Sequence, residues 1–298
     1  MPIYTNKYSV LDQKMPNNKP NTNTQSSIAI IGAGWLGMPL AEHLSTQNWN
    51  IQLTKTTPED VANLAQEGWQ ICQYQLGDSL PPSLHYSDIA FLNIPPRRKH
   101  FTPEKFVTNM CKLIDQLAQN GINKVLMIST TSVYGELSGD IVDTHCVAPN
   151  TESGKAHVII EQHLRATFLE HATIIRPAGL IGGKRHPINT LAGRTELTSP
   201  NNVVNLIHRD DLINIITAII NQAFWGKTCH LAAPDHPQRK DYYPWCAEQL
   251  QLTKPTFISN ENSTENTGKV INSQSLLEEL SVNLRYPSPY DMLPNKTT

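Results

Sequence analysis

The stretch Ile28-Ala29-Ile30-Ile31-Gly32-Ala33-Gly34-Trp35-Leu36-Gly37 decides how this chain folds. A short, β-branched apolar run predicts a buried strand, and it enters a Gly-x-Gly-x-x-Gly turn. From Met38 to Leu44 the residues read as a helix, because Leu36, Leu40 and Leu44 recur every four positions with Ala41 beside them. Each glycine has its own task in such a unit. Gly32 permits the tight turn, Gly34 lets backbone approach a pyrophosphate, and Gly37 lets helix and strand pack closely. The helix N-terminus then presents unpaired N–H groups and a positive dipole end to phosphates. Strand, turn and helix in this order predict dinucleotide binding, the alternative being a glycine-rich turn with nothing bound.

Working outward, strands and helices alternate. Trp49–Thr54 predicts a second strand and Glu59–Glu67 a helix. Trp69–Tyr74 is a third strand and Asp88–Asn93 a fourth, stopped by Pro95-Pro96. Phe106–Gln119 has helical spacing at Met110, Leu113, Ile114 and Leu117. Lys124–Ser129 is a fifth strand, Lys155–Glu170 a helix and Thr173–Arg176 a sixth strand. This alternation predicts an α/β fold, a doubly wound parallel Rossmann-type sheet with ligands bound outside the carboxyl ends of its strands. Residues 1–26, polar and without an apolar core, read as a disordered extension and not as a secretory signal. The dinucleotide-binding domain is expected over 27–178. Residues 179–298 are expected to build mainly a smaller C-terminal substrate lobe, with part of 203–222 returning to the first domain. Asn260–Gly268 reads as an exposed loop, and Asp210 and Asp211 read as caps of a helix from Leu212 to Ile220.

Bulk properties narrow the partners. A formal net charge of -2 over 298 residues offers no attraction to nucleic acid or an anionic membrane surface. No apolar run reaches the ~18 residues of a membrane span. Hydrophobic residues make up 39% of the chain, and the mean hydropathy of -0.36 fits a soluble protein with a sizeable core, for which the unpaired cysteines make the cytoplasm the default compartment. The five cysteines (Cys72, Cys111, Cys146, Cys229, Cys246) form no Cys-x-x-Cys pair, so free thiols and no metal site are expected.

Longer motifs carry a resemblance. They are Ser129-Thr130-Thr131-Ser132-Val133-Tyr134-Gly135 and Pro149-Asn150-Thr151-Glu152-Ser153-Gly154-Lys155, with Gly77-Asp78, Arg176-Pro177-Ala178-Gly179 and Asn205-Leu206-Ile207-His208-Arg209-Asp210-Asp211. Over most of residues 27–292 the chain resembles the extended short-chain dehydrogenase/reductase family, the NAD(P)-dependent epimerases and dehydratases. Gly34–Leu40 and Gly182–Pro187 look most like its atypical, YeeZ-like branch. The resemblance implies a fifth-strand hydroxyl at Thr130, a ribose-binding and pKa-lowering lysine at Lys155, and a general-base tyrosine four residues before that lysine. That position is Thr151, whose alcohol is no base near neutral pH. Three readings stay open. Tyr134 or His186 supplies the proton, the reaction needs no base there, or the protein binds a nucleotide without turnover. Tyr134 reads first as a packed loop aromatic, and Lys155 has the alternative of a solvated lysine at a helix start.

The resemblance also implies cofactor contacts from Trp35, Leu36, Asp78, Ile94, Pro95 and Pro177, and substrate contacts from Arg185 and His186. At the end of the second strand Lys55, followed by Thr56, stands where NAD enzymes of the family keep an acidic residue. An ammonium attracts a 2′-phosphate that a carboxylate would repel, so NADP is expected over NAD. The expected substrate is a sugar or nucleotide-linked polyol. The rival functions are a non-catalytic NAD(P) sensor or partner-binding protein on the same fold and, from the glycine turn alone, a β-hydroxyacid dehydrogenase with an all-helical second domain.

Overall fold

The computed structural model describes residues 25–96, 102–258 and 267–294. Most of the polar 1–26 extension and most of the Asn260–Gly268 loop therefore lie outside the described residues. The strands are β1 (Ser27–Ile31), β2 (Asn50–Lys55), β3 (Gln70–Gln73), β4 (Ile89–Leu92), β5 (Lys124–Ile128), β6 (Gly139–Ile141), β7 (Ala172–Pro177), β8 (Gly179–Ile181), β9 (Leu206–His208), β10 (Thr228–Leu231) and β11 (Lys269–Ile271). The helices are α1 (Gly37–Ser45), α2 (Pro58–Gln66), α3 (Pro103–Gln119), α4 (Glu152–Phe168), α5 (Ile188–Leu191), α6 (Arg209–Asn221), α7 (Arg239–Gln249) and α8 (Gln274–Glu279).

Seven strands form one parallel sheet in the order β10-β7-β5-β4-β1-β2-β3. This is a doubly wound Rossmann-like sheet, and its strand order reverses beside β1. Both faces are covered, which is why β1 and β4 read as nearly continuous apolar runs. Side chains alternate across the pleat. Ile28, Ile30, Ile89, Phe91, Leu126 and Ile175 enter the core beneath α1 and α6. Ala29, Ile31, Ala90, Leu92, Val125, Met127 and Ile174 enter the opposite core with α3 and α4.

The chain returns to this sheet more often than its sequence suggests. Helix α6 packs Leu212, Ile215, Ile216 and Ile219 into the core of β1 and α1. Strand β10, which carries no apolar signature beyond Cys229 and Leu231, completes the sheet edge against β7. Beyond the sheet, α8 sends Leu276 into the core beneath α1 and α6, β6 pairs with β11 and packs Ile141 and Ile271 against Val133 and Tyr134, and a second lobe is built from the parallel pair β8 and β9 with α5 and α7. Its core holds Ile188, Leu206, Tyr242, Cys246 and Met292. Strands in this half set aside the all-helical second domain of a β-hydroxyacid dehydrogenase.

Two helix starts differ from expectation for local reasons. α4 begins at Glu152, three residues early, because the Thr151 side chain accepts the Gly154 N–H and caps it. α6 begins at Arg209, and its cap is His208, whose Nδ1 accepts the Asp210 N–H at 3.2 Å. Asp211 is not a cap. It is 1% exposed and accepts the N–H groups of Arg285 and Tyr286, tying the C-terminal segment to α6.

Candidate functional site

The candidate site lies at the carboxyl end of the parallel sheet, with the Gly32–Gly37 turn after β1 as its floor. Thr54 holds that turn from β2, accepting the Gly32 N–H through Oγ1 and the Ala33 N–H through its carbonyl. Asn93, just beyond β4, donates its side-chain amide to the Gly32 carbonyl at 3.1 Å. Gly32 has φ +105°, and a Cβ there would lie 2.3 Å from the Asn93 carbonyl oxygen. A Cβ at Gly37 would lie 2.4 Å from the Gly32 carbonyl. These two glycines are dictated by backbone against backbone.

Gly34 is different. It is exposed, and a Cβ there would have no protein atom within 4 Å. Nothing in the fold requires glycine at this position, so the open space before it is room for a ligand. Beyond it, α1 starts without a side-chain cap and without an acidic residue in its first turn. The positive dipole end of α1 lies behind the amides of Trp35, Leu36 and Gly37, which suits an anion, whereas the Met38 and Leu40 N–H groups already bond the Gly34 and Leu36 carbonyls.

The other strand ends frame this floor. Lys55 closes β2, with Nζ 4.0 Å from Asp60 and a side chain 25% exposed. Thr56 next to it is exposed. Asp78 is exposed after β3 and accepts the Gln75 N–H. Ile94 and Pro95 follow β4, half-buried and exposed respectively, whereas Pro177 is buried as the last residue of β7.

The residues assigned to chemistry fall into two groups. Thr130 and Thr151 lie in the turns around the start of α4. Thr130 Oγ1 accepts the Ser132 N–H and donates to the Ser132 hydroxyl, each at 3.1 Å. A Cβ on Gly154 would lie 2.9 Å from the Ser132 carbonyl, so α4 begins pressed against the turn that follows β5. Thr151 is the cap of α4, its Oγ1 accepting the Gly154 N–H, and stands just ahead of the helix. Lys155 projects from that first turn, 54% exposed, and pairs with Glu152 at 2.8 Å.

Tyr134 and His186 belong to the interior. Tyr134 is 0% exposed, and Arg176 Nη1 donates to its oxygen at 3.1 Å. His230 Nε2 lies 2.6 Å from the Asn272 carbonyl and must donate to it, so Nδ1 accepts from the Tyr134 hydroxyl at 3.1 Å. Burial raises the phenol's pKa and lowers that of His230, keeping both neutral. A phenol this enclosed is no general base, so the loop-packing reading of Tyr134 stands and its catalytic reading falls. His186 is 5% exposed, accepts the Ile188 N–H and bonds Tyr242 at 2.9 Å. Burial lowers its pKa to about 4, so it is a neutral packing residue of the second lobe.

Sequence reasoning missed two features. One is the buried ion pair of Arg176 with Glu161, at 2.6 Å, to which the Ser129 hydroxyl also donates. Burial opposes the Arg176 charge, but the hydrogen bonds and field of Glu161 outweigh it and raise its pKa. An arginine inside a strand of isoleucines was the available signal, since a buried charge requires a partner. The other is a contact across the lobes. The guanidinium groups of Arg185 and Arg209 lie 4.9 and 5.3 Å from the centre of the Trp35 ring, in cation–π range. No local pattern announces it.

Among the described residues no group of His, Cys, Asp and Glu is arranged to hold a metal. No described helix is long and apolar enough to cross a membrane.

Comparison with known proteins agrees with this geometry. The profile of a family described as NAD(P)H-binding matches residues 32–223. Protein YeeZ of Escherichia coli (strain K12) is 33% identical over 274 residues, covering 89% of this chain and 98% of YeeZ. Among solved structures, a conserved protein from Silicibacter pomeroyi superposes with a TM-score of 0.71 at 22% identity, covering 88% of this chain and 95% of the other. The UDP-glucuronic acid 4-epimerase of Bacillus cereus, solved in complex with NAD, has a TM-score of 0.69 at 15% identity, covering 87% and 94%.

Proposed function

The chain belongs to the NAD(P)H-binding family, in the atypical YeeZ-like branch of the short-chain dehydrogenase/reductase fold, and on that premise we propose an NADP-preferring oxidoreductase or epimerase-like enzyme. Its substrate is a sugar or nucleotide-linked polyol, a class suggested by the fold it has in common with a UDP-glucuronic acid 4-epimerase. The observation that carries the reading is the open face of Gly34 below the uncapped start of α1. The residues fit a dinucleotide: backbone amides from Trp35 to Gly37 for the pyrophosphate, Lys55 and Thr56 for the ribose phosphate, and Asp78 for the adenine side. Ile94, Pro95 and Pro177 would line the cofactor's path, and Lys155 would hold the nicotinamide ribose.

When bound, the nicotinamide supplies hydride chemistry. The chain's own residues position it and the substrate, with Thr130 as the hydroxyl at the fifth-strand end. Thr151 moves no proton in this scheme, since its oxygen already accepts the Gly154 N–H. That same observation favours a second reading, a dinucleotide sensor that binds NADP(H) without turnover.

The test is a fluorescence titration of NADPH and NADH on wild type and Lys55→Asp. Reversing a charge near a 2′-phosphate is worth about 1–3 kcal/mol at partial exposure, hence about 5- to 150-fold in relative affinity. Wild type that prefers NADH, or a preference unmoved by Lys55→Asp, overturns the NADP assignment. Turnover over a panel of nucleotide sugars then separates the enzyme from the sensor.

A further inference from the structure

We propose that a cavity at the β10 edge of the sheet is a second ligand site, taking a small organic molecule that carries an ammonium group. The proposal stands apart from the dinucleotide reading, because β7, β5 and β4 separate β10 from β1 and its glycine turn.

Three segments enclose the space. β6 and β11 run parallel with Ile141 opposite Ile271, so the chain leaves both at neighbouring points. The two exits form the walls, one through Asp143 and the other from Asn272 to Glu278. β10 supplies the floor through His230, which is 2% exposed. The cavity measures about 270 Å³, near the lower end for small-molecule sites. Hydrogen bonds brace it from behind. The Asn272 carbonyl takes the His230 Nε2–H at 2.6 Å, while its side chain donates to Asp140 and accepts the Gln274 N–H, each at 3.1 Å. Ser273 Oγ accepts the Ala232 N–H at 2.9 Å, which ties the same wall to the residue after β10. The space is therefore formed before any ligand enters it.

The charges facing this space are negative. Asp143 and Glu278 are the charged residues of its lining, and both are exposed. Glu278 accepts the Gln274 amide at 2.6 Å. Among the described residues nothing bonds or pairs with the Asp143 carboxylate, and its field reaches through the floor to His230 and Cys229. The neighbouring cations are answered elsewhere. Arg176, behind the floor, is paired with Glu161 and bonded to Tyr134. Arg165 lies in the field of the same Glu161, and Lys227 pairs with Glu279 at 3.3 Å. His145 turns its Nδ1 back onto the Val142 backbone, at 3.0 and 3.2 Å. Burial keeps the floor imidazole of His230 neutral. With no lysine or arginine in its lining, the cavity disfavours phosphates and carboxylates. An ammonium instead has three protons to give, and the two carboxylates and the Ser275 hydroxyl can accept them.

The experiment titrates the full chain with three four-carbon probes of similar size, putrescine, 1,4-butanediol and succinate, at low salt and pH 8. That pH lies above the range in which histidine ordinarily titrates. Calorimetry gives the Kd, and backbone amide NMR shifts locate the binding. The expected result is saturable putrescine binding with shifts centred on Asp143 and on Asn272–Glu278, butanediol at least tenfold weaker and succinate unbound. The putrescine Kd should rise about two- to fivefold in Asp143→Asn and in Glu278→Gln, and about tenfold in the double variant, as for exposed ion pairs. Glu42→Gln, which removes an exposed carboxylate on α1, should change nothing. Equal affinity for putrescine and butanediol overturns the ammonium assignment. Putrescine binding that Glu42→Gln weakens as much as the cavity variants do is diffuse attraction, and overturns the site. Shifts centred elsewhere, or no saturable binding, overturn it too.

Discussion

Replacing Gly34 and, separately, Gly37 of the turn by alanine separates what the fold needs from what the ligand needs. At Gly34 the added methyl meets no protein atom within 4 Å. The backbone there is not in the left-handed region, so the substitution mainly reduces the freedom of the unfolded chain, a gain of about 0.4–1 kcal/mol. For a chain of this size that raises the unfolding midpoint by about 1–4 °C. At Gly37 the same methyl would lie 2.4 Å from the Gly32 carbonyl oxygen and 3.2 Å from Ile30 Cγ2. Overpacking of this kind costs about 1–3 kcal/mol, and the midpoint should fall by about 3–10 °C. Dinucleotide affinity should follow the opposite order. The Gly34 methyl occupies the space through which a pyrophosphate reaches the α1 amides, and losing one charge-assisted bond there costs about 1.5–3 kcal/mol. Gly34→Ala should therefore weaken NADPH binding by about 10- to 100-fold while melting at or above the wild-type temperature. Calorimetric titration and thermal circular dichroism on the same preparations measure both quantities. Gly34→Ala with wild-type NADPH affinity would refute the reasoning, because the open face would then not be where the cofactor lies.

Three further outcomes follow from the buried and capping groups. Glu161→Gln removes the charge that answers Arg176 and should cost about 3–5 kcal/mol in urea unfolding, most of it recovered in a Glu161→Leu/Arg176→Met double variant. If the single variant is neutral, the pair is not the buried bridge described. Thr151→Ala should cost about 0.5–2 kcal/mol through loss of the α4 cap, with Thr151→Ser close to wild type; equal stability of all three in urea unfolding would deny the capping role. His186 has its pKa lowered from 6.5 to about 4, so the unfolded chain binds a proton that the native one refuses between those values. Stability should fall as pH drops from 6.5 towards 4, by up to about 3 kcal/mol from this group, and level off below. His186→Gln should lack that part of the slope, and an unchanged acid profile would show that the imidazole titrates freely.

Much of the first domain was legible because its signals are local. An apolar run, a glycine spacing and a four-residue leucine repeat lie within Ile28–Leu44, and each element from β1 to β5 is found within a few residues of its expected place. The same locality misled at α4. The helix was expected from Lys155, whereas the short Thr151 hydroxyl accepts a backbone N–H and lets the helix begin at Glu152.

Sequence alone determined the alternating βα order, the glycine turn and hence the class of ligand, because strand and helix periodicities state which residues must face a core. Tertiary structure decided which core, and what closes over it. β10 becomes an edge strand only because β7 offers its unpaired backbone. Tyr134 and His230, 96 residues apart, become one neutral hydrogen-bonded pair only when burial removes water from both. Arg185 and Arg209 meet Trp35 only because β8 and β9 pair and point their ends at the glycine turn. Periodicity encodes that a face will be covered; the partner that covers it, and therefore the protonation and reach of every site residue, depends on contacts between segments far apart in the chain.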